Sequence, residues 1–149
     1  MGFFGSMNVS ATGLSAQRFR MDVISQNIAN VDTTRTEDGT PYKRKITLFE
    51  ERTDNKSFSN FFTSALSLTG ADYGNGVRVS RVVEDQTEGT KVYEPSHPDA
   101  DADGYVTKPN VNIVNEMVNM IAASRSYEAN LTAMNATKAM LNKTLEISK

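Results

Sequence analysis

Apolar residues recur on a heptad spacing near each end of the chain and alternate in between. From Ser10 to Ala29, Leu14, Met21, Ile24 and Ile28, followed by Val31, hold that spacing, with Gln17 at the one polar position. Such a stripe predicts an amphipathic helix. Ser10 is its expected N-cap, and Asn30, which tolerates the left-handed conformation, is its expected stop. Gly13 costs the helix about 1 kcal/mol relative to alanine.

The second stripe runs from Val111 to Ile147. Met117, Met120, Ser124, Tyr127, Leu131, Met134, Lys138, Leu141 and Leu145 keep 3-4 spacing along it, as a coiled-coil seam does. Roughly 37 residues at 1.5 Å each make a rod of about 55 Å, long for a chain of this size. Val114, Val118 and Ile121 form a further apolar set beside its start, so this end is expected to be covered on two sides.

Between the stripes, residues 32–110 are rich in Thr, Gly, Asp and Pro, and the period becomes that of strands. The clearest runs are Tyr42 to Glu50, with Tyr42, Ile46 and Leu48 on one face, and Val77 to Glu84, with Val77, Val79 and Val83 on one face. Lys91 to Tyr93 is a third. Asp38-Gly39 and Asn75-Gly76 signal tight reversals. Phe58 to Leu68 fits a short helix or a buried loop, between which periodicity does not decide. The expected fold is therefore α+β: long N- and C-terminal helices (residues 1–31 and 111–149) forming a coiled coil, around a small β-rich middle (32–110).

Burying five side chains of the first helix returns far less than the backbone entropy of ordering it. Neighbouring subunits are expected to supply the rest, and the ends of the free chain to be weakly ordered. The competing reading packs both helices as one antiparallel pair over the sheet, an ordinary α+β domain.

Composition narrows the function. With 149 residues, 16 basic and 18 acidic, the net charge is −2 and no block of like charge appears, so nothing points to nucleic acid or anionic lipid. Partners are expected to be proteins. No cysteine and a single histidine, His97, remove thiolate chemistry and His-pair metal sites. No basic, apolar leader of the secretory type opens the chain, and no run of about 18 apolar residues spans a membrane. No nucleophile stands beside a base and no glycine spacing cradles phosphate, so neither an enzyme nor a cofactor is expected.

Asp99-Ala100-Asp101-Ala102-Asp103-Gly104 matches the first positions of an EF-hand calcium loop. The match ends there, because the twelfth position is Asn110 rather than glutamate and Pro95 and Pro98 exclude the preceding helix. A solvated turn is the simpler account, and a soluble calcium-binding module using Asp99 to Asp103 is kept as the alternative function. His97, between two prolines, reads as a loop residue. Asn27 and Asn30, flanking Ile28, are poor choices for a helix interior but can fix register between packed helices.

These residues also carry a resemblance. Asn27-Ile28-Ala29-Asn30-Val31-Asp32-Thr33 resembles the N-terminal signature of the axial rod and hook proteins of the bacterial flagellum. Tyr93 through Val106, Pro109-Asn110-Val111-Asn112, Glu116-Met117-Val118 and Ala123 through Asn130 are similar to the proximal-rod type within that family. Residues 3–52 and 77–147 carry the likeness; Thr53 to Gly76 does not. The resemblance implies a structural subunit of the basal-body rod, in the periplasm or cell-wall space, with copies of itself, other rod proteins and the flagellar type III export apparatus as partners. It implies no catalysis, no nucleic acid and no membrane insertion. Another axial rod protein is the second alternative. The expected assembly seam is Leu14, Met21, Ile24, Asn27, Ile28 and Asn30 on the first helix and Met117, Met120, Tyr127, Leu131, Met134, Leu141 and Leu145 on the second.

Overall fold

A computed structural model describes residues 3–52 and 75–147. Helix α1 spans Phe3–Ala29, and helix α2 spans Ile113–Ile147. Four strands lie between: β1 (Lys45–Glu51), β2 (Val77–Glu84), β3 (Lys91–Tyr93) and β4 (Tyr105–Thr107). The segment Phe58 to Leu68 lies outside the described residues.

α1 begins earlier than its expected N-cap, so Ser10 is an interior residue. It stops as Asn30 donates from Nδ2 to the Gln26 carbonyl (2.9 Å), while Thr33 donates its hydroxyl to Asn30 Oδ1 (3.1 Å) and its N–H to the Asn30 carbonyl (3.1 Å). The expected left-handed cap is not used: no described residue other than glycine has a positive φ. Side-chain bonds in an ordinary backbone do the same work, taking up carbonyls that a helix end leaves free. α2 starts on Asn112, whose Oδ1 accepts the Asn115 N–H at 3.1 Å, an N-cap directly after the Pro109-Asn110 break.

β1 and β2 pair antiparallel, from Lys45 opposite Glu84 to Glu51 opposite Val77. Ser80 is an extra residue between the Leu48–Arg81 and Phe49–Val79 pairs. This bulge breaks the alternation: Val77 and Val79 are half-buried, whereas Val82 and Val83 are exposed. Tyr42, expected in the first strand, precedes it and is buried, and Leu48 faces outward. β2 and β3 have the expected bounds, and β4 is an addition that pairs with β3. Gly39 and Gly76 take positive φ at the two expected reversals.

Two-stranded sheets are marginal alone, and α1 packs against both β1 and β2 as well as α2. Thr12 anchors the contact by accepting the Val77 N–H at 3.2 Å. The buried apolar residues, Ala16, Val23, Ile24, Tyr42, Val106 and Ala123, make a thin core.

Candidate assembly interface

Two of the three largest fully buried side chains are polar, and they meet where the helix ends approach β1. Asn27 and Glu116 are each 1% exposed. Asn27 donates from Nδ2 to the Lys45 carbonyl (2.8 Å) and to Glu116 Oε2 (3.0 Å), while its Oδ1 accepts the Tyr42 hydroxyl and the Lys45 N–H, both at 2.9 Å. All four bonding positions of the amide are filled. Glu116 Oε1 accepts from Arg44 Nε (2.9 Å) and Nη2 (2.7 Å). Arg44 also lies 3.8 Å from Asp85 through Nη1 and donates its backbone N–H to Asn110 Oδ1 at 3.0 Å.

A buried carboxylate is tolerable only when paired and hydrogen-bonded, and this one is both. Burial raises the Tyr42 hydroxyl's pKa, with the Glu116 and Glu84 carboxylates adding to it. Asp85 is held below its usual value by the Thr87 hydroxyl and N–H, with Arg44 contributing. The node joins the end of α1, the approach to β1, the end of β2 and the start of α2 within one chain. Asn27 thus fixes register between helices, but through the chain's own Glu116.

A second contact lies two heptads away on both helices. A Cβ on Gly13 would stand 2.9 Å from Asn130 Oδ1, so the glycine admits a close approach at that point. Gly13 to Asn27 on α1 and Asn130 to Glu116 on α2 span the same number of residues in opposite senses. The chain's two helices therefore pair antiparallel in a single register. Their facing positions are small or polar: Gly13, Ala16, Val23 and Asn27 on α1 are buried, and on α2 Glu116, Ala123, Asn130 and Thr137 share one heptad position.

This face lies one residue over from half of the expected α2 seam. Met120, Tyr127, Met134 and Leu141 are half-buried beside it, with Leu14, Met21, Ile28 and Asn30 half-buried and Ile24 buried on α1. Met117, Leu131 and Leu145 are exposed. With Val114, Val118 and Ile121, Met117 forms an outer stripe on the first turns of α2, each residue 54–68% exposed. Four large apolar side chains at i, i+3, i+4 and i+7 thus share one open helix face. Neither periodicity nor motif marks Glu116, Arg44 or Tyr42 as a site residue, and no spacing signals a pair 72 positions apart.

The Asp99 to Gly104 segment turns its carboxylates onto its own surroundings. Asp101 Oδ1 accepts the Asp103 N–H (3.0 Å) and the Tyr105 N–H (2.8 Å), and Asp99 accepts the Thr34 hydroxyl (2.8 Å) beside Arg35. Among the described residues no three acidic or histidine side chains converge as metal ligands. His97 accepts the Asp99 N–H on Nδ1, a loop-closing role. The calcium-binding alternative has no support in this geometry.

Two family models match the chain. The flagella basal body rod protein model covers residues 7–35, most of α1 and the turn after it. The flagellar basal body rod FlgEFG protein C-terminal model covers residues 102–147, which include β4 and α2. Over its whole length the chain is similar to the flagellar basal-body rod protein FlgC of Bacillus subtilis, 51% identical over 153 residues with all of both chains covered. It is 48% identical to FlgC of Borreliella burgdorferi over 99% of this chain and 98% of the relative. It is 38% identical to FlgC of Escherichia coli O157:H7 over all of both.

Proposed function

The chain belongs to the FlgC family of flagellar basal-body rod proteins, and on that premise we propose that copies join one another and other rod proteins through the two terminal helices, building the drive shaft that passes motor torque outward. It is a structural subunit of the rod. The observation that carries the mode of joining is the outer stripe Val114, Met117, Val118 and Ile121. Intrachain pairing leaves these side chains open, and covering them at about 1 kcal/mol each contributes about 4 kcal/mol per contact, repeated at every subunit.

The expected seam enters this proposal in two parts. Leu14, Met21, Ile24, Ile28, Asn27, Asn30, Met120, Tyr127, Met134 and Leu141 hold each subunit's own pair in register, while Met117, Leu131 and Leu145 meet neighbours. Residues 1–31, 32–110 and 111–149 act as assembly helix, β-rich middle and second assembly helix. The subunit works mechanically, without catalysis. It reaches the rod through the flagellar type III export apparatus and is not inserted in the membrane; among the described residues no helix is long and apolar enough to cross one.

Val118→Asp tests the reading, since this side chain is 61% exposed and its replacement leaves the intrachain pair untouched. The purified variant is expected to keep its helical circular dichroism, while cells carrying it build no rods and do not swim. Motile cells would sink the proposal.

A further inference from the structure

A cleft of about 380 Å³ lies between the approach to β1, the β2–β3 connection and the end of β4. Its lining includes Pro41, Tyr42 and Pro109, and Lys43, Lys91 and Lys108 face a single carboxylate there, Glu88. Lys43 donates to Gln86 at 3.1 Å and Lys108 lies 3.4 Å from Glu94. Lys91 makes no ion pair among the described residues. Asn110, also in the wall, spends Oδ1 on Arg44 and leaves its buried Nδ2 without an acceptor. Apolar side chains beside a basic lining suit a carboxylate-bearing stretch of polypeptide.

The same chain presents such a stretch. The Asp101 carboxylate ties the Asp99–Asp103 turn to its own backbone, and Gly104 closes it at φ 81°. Asp103 is held in this ready-made shape with an exposed side chain. Within one chain, no ion pair among the described residues joins the turn to the three lysines. We propose that the lysine-lined cleft receives the Asp99–Asp103 turn of a second copy. Because donor and acceptor patches differ, the contact is heterologous and leaves each copy with one unused patch for the next. This rests on the rod reading and supplies it with a charge-selective contact outside the helices.

The test is a charge exchange in the full chain. Lys91→Glu and Asp103→Lys are each expected to weaken association of the purified protein by about five- to tenfold in sedimentation velocity at low salt. The double variant should return to within about twofold of the original, because the reversed charges again attract. A double variant no better than the singles, or an Asp103→Lys variant that associates normally, overturns the proposal. Sensitivity to Lys91→Glu alone likewise overturns it, by assigning the cleft to a different acidic segment of the second copy. Val118→Asp separates the two claims: if it blocks rods while the charge exchange has no effect, the rod reading stands and the cleft contact falls.

Discussion

Replacing Asn27 with alanine removes four hydrogen bonds at once and tests whether the buried node holds the helix ends together. Three of the bonds are to neutral groups, at about 1 kcal/mol net each, and one is to a carboxylate, at about 1.5–3 kcal/mol. Water entering the vacated space recovers part of that. The expected loss is about 3–5 kcal/mol, a large share of the roughly 5–15 kcal/mol typical of a domain, with a melting temperature lower by about 10 °C. Urea unfolding followed by far-ultraviolet circular dichroism reads the loss directly. Combined with Glu116→Ala, the two losses should fall short of additivity by about 1–3 kcal/mol, because both substitutions remove the same 3.0 Å contact. A loss for Asn27→Ala below about 1 kcal/mol, or full additivity, would show that the node is a passive filling.

Two other substitutions probe the middle segment. Glu50 is held below its usual 4.5 by the Ser80 hydroxyl at 2.6 Å, with Arg78 adding. A lowered folded-state value contributes stability that is present at neutral pH and is lost as pH falls through it. Glu50→Gln should therefore melt lower than the original protein at pH 7, with the gap closing below about pH 4; melting curves from pH 7 to 3 check this. At Gly104, with φ 81°, an added Cβ would meet Tyr93 Cε2 at 3.0 Å and Pro95 Cβ at 3.2 Å. Gly104→Ala should cost about 1–2 kcal/mol from the backbone alone and lower the melting temperature by roughly 2–8 °C.

Helix content, the β-rich middle and three of the four strands are legible in the sequence because long periodic stretches and turn dipeptides are local signals. Register is less so. Apolar periodicity selects Met117, Leu131 and Leu145 as the inner seam because they are large, whereas Glu116, Ala123, Asn130 and Thr137 face α1 because close approach needs small or bonded side chains. Gly13 reads locally as a weakness of α1, and only the position of Asn130 explains it. Ser80 adds one residue to β2, and no alternation count anticipates the change of face that follows. Arg44 and Glu116 are ordinary charged residues until the fold sets one against the other.

The two faces of α2 reverse the usual order of a soluble helix. Alanine, threonine, asparagine and glutamate look inward, and valine, methionine and isoleucine look outward over its first turns. The inner face acts as an address, because a bonded amide or a missing Cβ accepts one alignment, whereas greasy surfaces tolerate several. In the proposed mode of joining, the outer face acts as an adhesive, tolerant in geometry and strong only when repeated. A shaft must bear load in many slightly different surroundings along its length. Keeping the exacting contacts inside each subunit and the forgiving ones between subunits allows the joints to adjust without the parts losing shape.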